Sequence, residues 1–112
     1  MNKKIKIVDL STLIPGPFAS FILKNELPAE VIKIEDINQP DALANMRPTK
    51  DGIGLGYSGI NSGKKILKVD MRKDGIERIK HEIKDATVFI ENFKIGKTFK
   101  MGISFEDLSK SN

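Results

Sequence analysis

The sequence predicts an α/β protein built on an open parallel sheet of about four strands joined by βαβ crossovers. Three observations predict this. Short runs rich in β-branched residues lie at 4–9, 31–35, 65–70 and 86–91. The first two runs, and the last two, are each separated by a stretch with helical apolar spacing. Between the two pairs lies a segment dominated by Asn, Gln, Pro and Gly. Strands alternating with helices point to parallel pairing with right-handed crossovers and helices against the sheet faces.

Each element has its own signals. Lys4-Ile5-Lys6-Ile7-Val8-Asp9 alternates and then turns apolar, as a strand entering a sheet does. Pro15-Gly16-Pro17 punctuates the loop that follows, and Pro17 suits a first helical turn, where a missing N–H costs nothing. Phe18, Phe21, Ile22 and Leu23 then supply one apolar face through about Leu27, and Pro28 ends the helix. Val31-Ile32-Lys33-Ile34-Glu35 is the second strand. Residues 36–63 are expected to form a long binding loop or lid, because loops of that length in compact domains are usually functional. The third strand is Lys65-Ile66-Leu67-Lys68-Val69-Asp70. A helix carrying Ile76, Ile79 and Ile83 comes next, and Ala86-Thr87-Val88-Phe89-Ile90-Glu91 is the fourth strand. A short helix near 97–101 is expected to stop at Gly102.

Composition narrows the function classes. A chain of 112 residues is one small domain, 1–112, with 30% charged and 39% hydrophobic residues, the balance of a folded soluble protein. No apolar run reaches the ~18 residues of a membrane span, and no apolar stretch follows the N-terminal lysines, so a cytoplasmic protein without a membrane partner is expected. With no cysteine and one histidine, His81, no metal site is expected. His81 lies off the apolar face of its helix and reads as a surface residue. The net charge of +4 is confined to one half: residues 1–60 hold seven basic and seven acidic side chains, residues 61–112 twelve and eight. A basic half is compatible with a polyanionic partner such as a nucleotide.

In an open parallel sheet, ligands bind beyond the carboxyl ends of the strands. The segments following the four strands are 11–16, Asp36, Met71-Arg72 and Asn92-Phe93-Lys94. They should meet on one rim and offer a helix N-terminus, a guanidinium, an amide, an aromatic face and a lysine for a phosphate-bearing nucleotide. Two literal motifs carry less. Gly54-Leu55-Gly56-Tyr57-Ser58-Gly59 spells the dinucleotide fingerprint, but the expected loop ahead of a strand is the wrong context for it. Residues 59–65 approach a phosphate loop, with three residues between the glycines where that motif has four and Lys65 in place of its hydroxyl. Lys64, Lys65, Lys68, Lys94, Lys97 and Lys100 lack an aromatic stacking platform, so nucleic acid is only a minor alternative.

Taken in order, several segments resemble the opening of the class III CoA-transferases. These are Ile7-Val8-Asp9-Leu10, Pro15-Gly16-Pro17-Phe18-Ala19-Ser20, Ala29-Glu30-Val31-Ile32-Lys33-Ile34-Glu35, Asn61-Ser62-Gly63-Lys64-Lys65, Val69-Asp70-Met71-Arg72, residues 86–93 and residues 102–108. That family includes formyl-CoA transferase, carnitine CoA-transferase and alpha-methylacyl-CoA racemase. The resemblance spans nearly the whole chain and implies a Rossmann-like fold with coenzyme A, as acyl-CoA, for substrate. It implies that Ile14, Pro15, Val69, Asp70, Met71, Arg72, Asn92, Phe93 and Lys94 line the CoA site. Lys100 matches a position usually held by an arginine that meets the CoA phosphates; lysine keeps the charge and loses the two-pronged contact.

The chain also departs from the family pattern. Asp36 stands where a basic residue usually contacts the nucleotide, and Pro28 replaces a glycine. The resemblance places the catalytic aspartate beyond the region matched here, as nucleophile in the transferases or as one of an acid/base pair in the racemases. No residue of this chain is therefore assigned a catalytic role. The expectation is a truncated or split family member that retains part of the CoA site and is inactive alone. Its partner would be a complementary chain carrying the missing half, or a second copy. A non-catalytic CoA or nucleotide-binding module completed by a separate chain is the alternative.

Overall fold

In the computed structural model, residues 4–110 are described. The main elements are β1 (Ile5–Asp9), α1 (Pro15–Glu26), β2 (Ala29–Asp36), a 3-10 turn (Ala42–Asn45), β3 (Thr49–Lys50), β4 (Ile53–Gly54) and α2 (Leu55–Ile60). They continue with β5 (Lys65–Val69), α3 (Gly75–Ile83), β6 (Val88–Ile90), α4 (Lys97–Met101) and α5 (Phe105–Ser109). Strands β5, β2, β1 and β6 form one sheet in that order, every pair parallel. The predicted four-stranded sheet and its strand positions stand. β5 and β6, joined by α3, are not neighbours; they sit at opposite edges, so the strand order reverses direction between β1 and β6.

The register sorts the side chains onto two faces. Asp9 lies beside Lys33 and Val8 beside Ile32, and side chains alternate along each strand. One face therefore carries Val8, Ile32, Ile34 and Val69. It packs with Ile79 and Ile83 of α3 and with Ile103 into the apolar core. Four consecutive buried residues, 31–34, mark β2 as a central strand covered on both sides. The other face carries Ile7, Asp9, Val31 and Lys33 and is covered by α1.

Two expectations need correction. The first concerns α1, which does not turn Phe18 and Ile22 inward: they are 48% and 43% exposed, and the buried residues are Gly16, Pro17 and Ser20. The reason lies underneath, where the sheet face holds charged side chains that need a hydroxyl and a close backbone rather than aliphatic bulk. The second concerns residues 36–63, which form ordered structure rather than a loop. The 3-10 turn is capped by the Asp41 carboxylate accepting from Leu43 N–H, and β3 and β4 make a small antiparallel hairpin that runs into α2. The Gly54-to-Gly59 motif thus does follow a strand and open a helix. That strand lies outside the main sheet, and a Cβ at Gly54 would overlap the Leu43 carbonyl, so the glycine serves packing of the turn.

Local chemistry sets the remaining ends. Leu27, preceding Pro28, is extended and closes α1. Gly102 adopts φ 75° after α4, as the sequence predicts, and a reciprocal Ser104–Asp107 capping box starts α5.

Candidate functional site

The reversal of strand order between β1 and β6 opens a crevice beyond the carboxyl ends of the strands, where ligands bind in this architecture. A cleft of 820 Å³ occupies it. Leu10, Leu13, Ile34, Met71, Ile76, Phe93 and Met101 form its apolar lining; Arg72, Lys94 and Lys97 supply positive charge, and Glu35, Asp36 and Asp41 negative charge. The two signs are placed differently. Glu35 accepts from the Tyr57 hydroxyl (2.6 Å), Asp36 from Asn38 N–H, the Asn38 amide and Met71 N–H, and Asp41 from Lys33 Nζ and two backbone N–H groups. None of the ion pairs among the described residues involves Arg72, Lys94 or Lys97. Lys97 Nζ lies 4.5 Å from the centroid of the Phe93 ring, a cation–π contact.

The floor of the cleft rests on buried charge under the loop after β1. Lys33 Nζ, with its side chain fully shielded, donates to Ser11 O (2.8 Å) and pairs with Asp41 Oδ2 (3.2 Å). Asp9 accepts from Ser11 N–H (2.8 Å), from the hydroxyls of Ser11 and Ser20, and from Lys64 Nζ (3.4 Å). Lys64 also donates to Pro17 O and Asn61 Oδ1, both at 2.8 Å. Burial holds the Lys64 ammonium below its usual pKa, and Asp9 opposes that shift. No buried side-chain polar atom among the described residues lacks a partner. Removing one member of such a pair typically costs about 3–5 kcal/mol, because its partner is left charged and buried.

The rim read from the sequence is present, though its residues divide. Met71, Arg72, Phe93 and Lys94 line the cleft. Val69 is buried in the core, and Asp70 accepts from Asn38 Nδ2 (2.7 Å) and Arg72 N–H (2.9 Å), which hold its carboxyl below the usual carboxylate range. Asn92 bridges the strand reversal: its Oδ1 accepts from Thr12 N–H and its Nδ2 donates to Thr12 O (2.7 Å), tying the loop after β6 to the loop after β1. Ile14 and Pro15 are exposed at the start of α1, beside cleft-lining Leu13, and Lys100 is exposed on α4 outside the lining. The expected N–H donors of α1 are fewer than a helix start normally offers. Pro15 and Pro17 have none, leaving Gly16 as the only donor among the first three residues.

Lys33, Asp41 and Asn38 were missed as site residues by the sequence reading, which named Lys97 only in the lysine set weighed for nucleic acid. A lysine inside an otherwise apolar strand was the one available signal for Lys33. Asp41 carried none for its bonds to Lys33 and Leu13, which lie in two other segments; only its cap on Leu43 N–H is local.

The described residues contain no group of three or more His, Cys, Asp or Glu side chains suited to a metal ion, and no helix long and apolar enough to cross a membrane. Comparison with known proteins agrees with the geometry. CoA-transferase family III matches residues 3–112. Human succinyl-CoA:glutarate CoA-transferase is 34% identical, with 95% of this chain and 24% of the relative covered. Acetyl-CoA:oxalate CoA-transferase of Acetobacter aceti is 32% identical, with 95% and 27% covered. A crystal structure of a CaiB/BaiF family protein from Brucella suis superimposes with a TM-score of 0.86 at 31% identity, covering 96% of this chain and 30% of that one. The chain thus spans about a quarter of the length of the curated relatives named here. With the parallel sheet, the strand reversal and the match from residue 3 to residue 112 in agreement, this chain belongs to CoA-transferase family III.

Proposed function

We propose that the cleft is a coenzyme A site and that this chain supplies the nucleotide-binding part of a class III CoA-transferase or acyl-CoA racemase. The observation that carries the proposal is the asymmetry of charge in the cleft: Arg72, Lys94 and Lys97 stand outside every ion pair among the described residues, while each lining carboxylate is already engaged. Such a surface suits the phosphates of CoA, with Phe93, Ile76, Met71 and Met101 offering apolar contact to the adenine or the pantetheine arm. Lys100 adds charge near Lys97 on the same helix.

The same inventory offers no dedicated nucleophile. Asp36 and Asp41 hold backbone N–H groups, Asn38 and Lys33, and Glu35 holds the Tyr57 hydroxyl, so the lining carboxylates serve the fold. Transfer would then need further polypeptide. The chain's short share of its relatives favours that reading, as does a relative 31% identical to it, the succinyl-CoA–L-malate CoA-transferase beta subunit of Chloroflexus aurantiacus.

Calorimetric titration tests the site. CoA is expected to bind saturably and pantetheine, which lacks the nucleotide, to bind far more weakly. Arg72→Ala and Lys97→Ala should each weaken CoA about tenfold, the equivalent of one charge-assisted hydrogen bond, with a smaller loss for Lys100→Ala. Incubation with a CoA thioester and an acceptor carboxylate should give no exchange. A folded chain that takes up no CoA would sink the reading.

A further inference from the structure

Leu13 lines the cleft with φ 65°, a left-handed conformation that a bulky non-glycine side chain resists. Something must hold it there. Its N–H donates to Asp41 Oδ1 (3.0 Å), and the neighbouring residues are held as well: Ser11 O by Lys33 Nζ, Ser11 N–H by Asp9, and Thr12 by Asn92. Two of these anchors belong to buried ion pairs, Asp9–Lys64 and Lys33–Asp41, and it is the second that reaches Leu13 itself. Its side chains are 0% and 1% exposed, and together they fix Ser11, Leu13 and Leu43 N–H (3.1 Å). The pair therefore joins the middle of β2 to two walls of the cleft, the loop after β1 and the turn starting at Ala42.

We propose that Lys33 and Asp41 are positioning residues, a buried clamp that keeps Leu13 left-handed and so aims the loop after β1, and the start of α1, at the bound coenzyme. The inference rests on the cleft being a CoA site, as proposed above. A pair buried merely for stability would be dispensable once both charges were removed, since apolar replacements of similar volume are often neutral or stabilising. A clamp would not be, because the acceptor for Leu13 N–H disappears with Asp41.

The test compares the wild-type chain with Lys33→Met/Asp41→Leu and with Asp41→Asn. Three quantities are read for each: CoA affinity by calorimetry, exchange of the Leu13 amide, and exchange of the Ile79 amide in the core. The double variant is expected to keep Ile79 protected while Leu13 exchanges at least tenfold faster and CoA affinity falls at least tenfold. Asp41→Asn keeps the shape and an acceptor oxygen while turning a donor amine towards Lys33, so it should fall between wild type and the double variant. It decides the matter if the double variant does not fold.

Wild-type affinity and Leu13 protection in whichever variant folds would overturn the clamp. A loosened Leu13 with unchanged CoA affinity would overturn its role in binding. If the wild-type chain itself ignores CoA, the site assignment fails, whereas a Leu13 amide released by the variants would still support the clamp.

Discussion

Gly16 lies where the first turn of α1 passes over Ser11, and a Cβ there would overlap the Ser11 side chain, which is itself bonded to Asp9. Gly16→Ala therefore pushes on the buried charge group rather than on open space. It should destabilise the fold by about 1–3 kcal/mol in a denaturant titration. Asp70 offers a pH measurement. Its carboxyl is held below the usual 3.8, first by the Asn38 amide and then by Arg72 N–H. A depressed carboxylate contributes stability that is present above the unfolded value and lost as pH falls through the folded one. Asn38→Ala removes the largest cause, so Asp70 should titrate closer to 3.8 by carboxyl NMR, narrowing that acid window. At this scale the sequence was readable where Pro28 and Gly102 end helices by local chemistry, and unreadable for the bonds that Asp41 makes to Lys33 and Leu13, which lie in other segments.

α1 and α3 show why a helix's buried face is not a property of the helix alone. α3 buries Ile79 and Ile83 against the apolar face of the sheet, as its spacing predicts, while Ile76 of the same stripe is half-buried and lines the cleft. α1 presents Phe18 and Ile22 to solvent because Asp9, Lys33 and Lys64 occupy the face beneath it. The two helices should respond unequally to substitution. Phe18→Ser should cost about 1 kcal/mol, since the ring is half exposed and otherwise stacks on Phe21, whereas Ile79→Ala, from a site with no exposure, should cost about 2–5 kcal/mol. Paired denaturant curves check both. The short α4 was legible to its ends because a glycine in left-handed geometry stops it locally. Residues 36–63 were not, since the 3-10 turn, hairpin and α2 are held by contacts with one another and with β2 rather than by propensity.

For the whole molecule, strand order makes the site. Placing β6 beside β1 rather than beside β5 brings the loops at 10–14 and 91–96 together, with Asn92 as the bridge. The cations of the cleft stand at its solvent-facing rim, where salt screens them. Raising ionic strength from about 0.05 to 0.5 M, which cuts the screening length roughly threefold, should weaken CoA binding several-fold in the same calorimeter. By itself the sequence determined the class of fold, the four strands and two main helices, the rim that follows the strands, and, through ordered segments from residue 7 to residue 108, the resemblance to the family. Each of these is written in local periodicity, turn chemistry or short contiguous runs. Only the tertiary structure decided which face of α1 is buried, how residues 36–63 are ordered, and that Lys33 and Asp41 meet beneath the cleft. Those depend on side chains far apart in the chain coming within hydrogen-bonding distance, and a buried charge reveals its purpose only when its partners are in place.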